Sequence, residues 1–166
     1  MAEQVKAVPA GFHTLTPHLT VRNADQALEF YKKALGAEVL GVARMPDGRV
    51  MHASLRVGDS MLMLNEEMPE YGGLSPLSTG GSSVTIHVYI PNVDEGFQRA
   101  IDAGAQVRMP LQDQFWGDRY GALIDPFGHK WSLATHIKDM SPEEMQRAMD
   151  EAMAKMPPPE AARKTA

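Results

Sequence analysis

The chain of 166 residues has no cysteine, which removes disulfides, thiolate nucleophiles and cysteine–metal centres from consideration. It also has little excess charge: 16 Lys and Arg stand against 21 Asp and Glu, a net charge of −5. Phosphate binding needs concentrated Lys and Arg, so nucleic acid is excluded as the main partner. A cationic ligand stays open, although mild negative charge also serves solubility alone. No stretch approaches the roughly 18 consecutive apolar residues of a membrane span, and the opening MAEQVKAVPAGFH lacks the apolar run of a secretory leader. A soluble cytoplasmic protein with no membrane partner is the expectation. The hydrophobic content of 43% and charged content of 22% suit one globular domain, or two small halves fused around one core.

What is present is an internal echo. LTPHLTVRNAD, from Leu15 to Asp25, returns as VTIHVYIPNVD, from Val84 to Asp94, with His18 and His87 at the same place in each. Each copy continues into a helical pattern. Asn23 and Asn92 supply caps, followed by Ala27, Leu28, Tyr31 and Leu35 in one half and Phe97, Ala100 and Ile101 in the other. Gly36 and Gly104 suit the left-handed ends of these helices. Three further strand-like runs follow in each half, separated by PDG and GDS turns in the first and by DPFGH in the second.

Each half therefore reads strand, helix, strand, strand, strand, over residues 13–67 and 82–137. Residues 68–81, rich in Gly, Ser and Pro, read as a linker, and 138–166 as a C-terminal helix with a tail. The predicted class is α+β: two βαβββ modules whose curled mixed sheets face a shared pocket, plus that helix. Ser141, Pro142 and Glu144 spell a capping box with Pro at the first helical position. Met145, Met149, Met153 and Met156 recur on one helical face. They suit a helix docked on its own domain or on a dimer partner, or a flexible Met-lined lid. The closing PPPEAARKTA is expected to be disordered.

The segments VRNADQALEFYKKALGAE, VMHASLRVGDSMLML, DQFWGDRYG and DPFGHKWSLATH, in this order, resemble the vicinal oxygen chelate superfamily, and within it the PhnB-like, glyoxalase-related subgroup. The superfamily includes glyoxalase I, extradiol dioxygenases, fosfomycin-resistance enzymes and bleomycin-resistance proteins. The resemblance covers roughly residues 13 to 137. It implies two modules around a cup, often in a homodimer. It also implies, in metal-dependent members, a divalent ion held by the first and last strands of each module, with two open positions for vicinal substrate oxygens. Carried across, those ligand positions fall on Thr16, Met63, Thr85 and Ser132. None is a usual divalent-metal ligand, so ordinary glyoxalase I chemistry is not expected.

Strand parity places His18 with Thr16 and His87 with Thr85 on the cup side, together with His52, Ser54, Asp118, Tyr120 and Ala122. Three uses remain open for this set. It could bind a small molecule without chemistry, as in bleomycin-resistance proteins. His52 and Tyr120 could transfer protons in lyase or isomerase chemistry on a vicinal dioxygen substrate. Or His18, His52 and His87, with Glu66, could form a displaced metal site. The plain alternative is that His18 and His87 hydrogen-bond across a symmetric interface. The cofactor is thus open between a divalent metal and none. Phe115 and Trp116 could wall the pocket and stack a flat or cationic ligand, or cap the core. Arg119 alternates with Tyr120 and should form a salt bridge. His13, His129 and His136 are expected in solvent.

Overall fold

The computed structural model describes residues 5–155. PPPEAARKTA and Met156 lie outside the described residues. The first module runs β1 (His18–Val21), α1 (Ala24–Leu35), β2 (Glu38–Arg44), β3 (Val50–Val57) and β4 (Ser60–Glu66). After a 3₁₀ turn at Pro69–Tyr71 and the single-turn α2 (Pro76–Thr79), the second repeats it. It has β5 (Thr85–Tyr89), α3 (Val93–Asp102), β6 (Gln106–Asp113), β7 (Asp118–Ile124) and β8 (Lys130–His136). α4 (Pro142–Lys155) follows. Each module makes a four-stranded sheet in the same order, β1-β4-β3-β2 and β5-β8-β7-β6. The first and last strands of each module pair in parallel and the others antiparallel.

The caps form as the sequence suggests. Asn23 Oδ1 accepts from Gln26 N–H at 3.3 Å, and Asn92 Oδ1 from Glu95 N–H at 3.2 Å. Gly36 closes α1 at φ 65°, a left-handed conformation that costs glycine nothing. At α4 the capping box is complete, since Ser141 Oγ accepts from Glu144 N–H and Glu144 Oε2 accepts from Ser141 N–H. None of the residues of α4 is buried, and Met149 and Met153 are exposed.

α1 and α3 pack against each other, and one apolar cluster spans both modules. Its centre is polar. Asp125, only 5% exposed, accepts from Tyr31 Oη at 2.7 Å, Trp131 Nε1 at 2.8 Å, and the N–H groups of Phe127 and His129 at 2.9 Å. Its oxygens are thereby satisfied where an unpaired carboxylate would be costly. Burial, and then the Asp125 charge, push the Tyr31 phenol well above its ordinary pKa. The bond joins α1 of one module to the β7–β8 turn of the other.

His129 belongs to the same seam. It is buried, not solvated, and its Nε2–H donates to the Thr20 carbonyl at 3.1 Å. The edge strand β1 leaves that carbonyl without a strand partner, and the turn supplies a donor. His13 and His136 are exposed as expected, and His136 is tied to a carboxylate at each ring nitrogen. The linker is also more ordered than its composition suggests. Ser75 and Pro76 are buried, and Glu67 accepts from Ser75 N–H at 2.6 Å and from Ser78 Oγ.

Candidate functional site

The second sheet carries the denser constellation. Along β5, Thr85, His87 and Tyr89 are exposed while Ile86 and Val88 turn toward the core. His87 lies opposite Ser132, and Tyr89 opposite Ala134, which in turn pairs with Tyr120. The small Ala134 leaves room for rings on either side. The His87 ring sits 4.5 Å from that of Tyr89, edge-on, and 5.9 Å from Tyr120, nearly parallel. Tyr120 meets Trp116 at 5.5 Å, and Trp116 meets Phe115 at 5.1 Å. His87 Nδ1 is 2.7 Å from Ser132 Oγ, so the buried hydroxyl fixes the ring and leaves Nε2 outward.

Asp118 anchors this line of rings. It is 4% exposed and accepts from Tyr89 Oη at 2.9 Å, Trp116 Nε1 at 3.1 Å and His136 Nδ1 at 2.8 Å. Burial alone would push its carboxyl up. The donors His136, Tyr89 and Trp116 outweigh that and hold it below its ordinary value. The same bond, with burial, raises the Tyr89 phenol. Arg119 points elsewhere and forms ion pairs with Asp94 and Asp113.

The first sheet differs in character. Across β1, β4 and β3, one row holds His18, Met63 and Ser54, and the next holds Thr20 and Asn65, with His52 alongside. The His18 and His52 rings stand perpendicular at 5.5 Å, and His52 Nε2 is 3.2 Å from Ser54 Oγ. Burial, then repulsion from His52, lowers the His18 pKa, against a smaller raising contribution from Asn65.

Several expected placements change. The partners of Met63 and Ser132 are His18 and His87, not Thr16 and Thr85. Thr16 precedes β1, and its hydroxyl donates to the His13 carbonyl at 3.4 Å. Thr85 lies opposite Lys130, one row from Ser132. On both first strands the facing position thus lies two residues beyond the threonine. Glu66 is spent on α1: its oxygens accept from Asn23 N–H at 2.8 Å and Ala24 N–H at 2.7 Å, where carboxylate also complements the helix dipole. Tyr89 joins this face as well, and its two-residue spacing from His87 is the sequence signal for it.

Within one chain His18 and His52 share one sheet, while His87 and Tyr120 share the other. An open groove of about 470 Å³ gathers Thr16, His18 and Thr85, and another of about 610 Å³ takes in His87 and Tyr89. Among the described residues, no three His, Cys, Asp or Glu side chains are grouped to hold a metal. The facing pairs are imidazole with thioether, and imidazole with a hydroxyl already bonded to it. That donor set does not fit a hard divalent ion, which wants carboxylates or several imidazoles. Among the described residues no helix is long and apolar enough to cross a membrane.

A doubled βαβββ unit, with the first and last strands of each module paired in parallel, defines a glyoxalase-like fold. The chain belongs to the Glyoxalase/Bleomycin resistance protein/Dioxygenase superfamily, whose profile matches residues 11–133. It is 47% identical over 138 residues to the uncharacterized protein Rv0887c of Mycobacterium tuberculosis, covering 81% of each chain. TioX from Micromonospora sp. superposes with a TM-score of 0.60 at 28% identity, covering 75% of this chain and 99% of that one. The PhnB protein of Bacillus cereus shares the fold, with a TM-score of 0.58 at 19% identity over 74% of this chain and 99% of that one. The profile match ends before α4 begins.

Proposed function

We propose that this chain binds a small, flat, cationic molecule on the ring-lined face of its second module, and that two copies associate to enclose it. The carrying observation is the run Tyr89, His87, Tyr120, Trp116 and Phe115, held over the buried carboxylate of Asp118. Ring faces are electron-rich and attract cations and flat aromatics. Asp118 adds a charge of the right sign, and so does the net −5 of the chain. Sequestration of a drug-like compound fits such a surface better than metal-assisted chemistry does. The homodimer is supported by the exposure of these faces and of apolar residues on the edge strands, among them Leu40, Val42, Val107 and Met109. The first module of one copy, with Thr16, His18, His52 and Ser54, would then cover Thr85, His87 and Ser132 of the other.

A second, catalytic use keeps His52 and Tyr120 as proton carriers on a vicinal dioxygen substrate. His52 is oriented for it by Ser54, but a single chain holds the two residues on separate sheets, so this use also requires the second copy.

Titration with a planar cationic dye, read by quenching of tryptophan fluorescence, tests the proposal alongside light scattering. The dye should bind a dimer, and Trp116→Ala and Tyr120→Ala should each weaken it by about 0.5–1.5 kcal/mol, the worth of one ring contact. Unchanged affinity in both variants, or a monomer at all concentrations, refutes it.

A further inference from the structure

We propose that the polar face of the first sheet is a soft-metal site that takes a cuprous ion on His18, His52 and Met63. The strand register sets it up. His18 on β1 lies directly opposite Met63 on β4, while Ser54, two residues along β3 from His52, flanks Met63 on its other side. Leu62 and Leu64 are buried, so alternation turns the half-buried Met63 toward the face that holds both imidazoles.

The two rings stand perpendicular with centroids 5.5 Å apart. With metal–nitrogen bonds of about 2 Å, two imidazoles on one trigonal or tetrahedral ion have centroids about 5 to 6 Å apart. His52 Nε2 is engaged by Ser54 Oγ at 3.2 Å, which leaves Nδ1 for the ion. A metal-bound imidazole is commonly held by such a polar neighbour at its other nitrogen. Met63 N–H donates to the Pro17 carbonyl at 2.9 Å, so the thioether comes from a strand fixed to β1.

The donors select the ion. A thioether binds hard divalent ions poorly and suits Cu(I), while imidazole suits copper as well. The nearest carboxylate along β4, Glu66, is committed to the N-terminus of α1 and supplies no hard donor. In the proposed dimer this site faces the partner's ring-lined surface, but it uses neither Asp118 nor the aromatic rings, so copper withdrawal and dye quenching report on the two separately.

The test is anaerobic titration of the full-length protein with Cu(I) in competition with bicinchoninate, whose coloured cuprous complex fades as the protein takes metal. One equivalent per chain should be withdrawn. His18→Ala, His52→Ala and Met63→Leu should each lose it, and X-ray absorption should report one sulfur and two imidazole nitrogens on the ion. Met63→Leu keeps an apolar side chain of similar size and should melt with the parent, which separates loss of a ligand from loss of fold. The chain has 12 methionines, and clusters of thioethers elsewhere would bind without imidazole. Retention of the equivalent in both His variants therefore overturns the proposal, as does failure to withdraw copper, or Zn(II) binding that is insensitive to Met63→Leu.

Discussion

His136 shows how one residue ties the rim of the second sheet together. Its Nδ1 meets Asp118 at 2.8 Å and its Nε2 meets Asp139 at 3.0 Å. Asp118 first, then Asp139, raise its pKa above 6.5. A group whose folded pKa is raised contributes stability fully present below the unfolded value and lost as pH climbs through the folded one. The stability difference between the parent and His136→Gln should therefore shrink as pH rises above 6.5. An NMR titration should place the His136 midpoint above that of a free imidazole, and Asp118→Asn should bring it down. A midpoint that does not move in Asp118→Asn would contradict the pairing. At this scale the sequence disclosed much: His18, His87 and Tyr120 fall on the polar faces by parity, and the family resemblance adds Ser132. It concealed where the facing position falls. Thr16 and His18 share parity, so only the pairing of His18 with Met63 distinguishes them.

The turn into β7 shows what an element requires of its residues. Gly117 has φ 96°, and a Cβ there would lie 2.1 Å from the Lys138 carbonyl oxygen. Its own carbonyl accepts from Ile137 and Lys138 N–H at 2.9 and 3.0 Å, which clamps the end of β8 to the residue after Trp116. Gly117→Ala should cost at least about 1–3 kcal/mol in urea unfolding, the usual cost of a side chain at such a dihedral. It should also shift the tryptophan emission, because Trp116 is displaced. Unchanged stability and emission would show that the clamp is dispensable. Helices were the most legible elements, since Asn caps, terminal glycines and the Ser141–Glu144 box act within a few residues of chain. The linker was the least legible. Ser75 and Pro76 are buried, and Ser75 N–H donates to the carboxylate of Glu67, which arrives from the end of the first module; composition says nothing of such a partner.

For the whole molecule, the doubled unit was plain in the sequence, but how its halves meet was not. Both arrangements, sheets around a common hollow or helices together, use the same alternating pattern. The contact of α1 with α3 depends on matched surfaces that no single segment spells out. α4 stands apart from this body, with none of its residues buried and its position beyond the family match. Removing residues 141–166 should lower the helical signal in circular dichroism and leave the melting midpoint of the remainder unchanged. A lower midpoint would mean that a second copy holds this helix.

The bond from Tyr31 to Asp125 crosses the boundary between the halves, and it commits them to each other. Without it the first half would carry a stranded hydroxyl, and the second an acid short of one of its four donors, into oily surroundings. Recombination could exchange these halves with a relative only as a matched pair, however alike their outlines are.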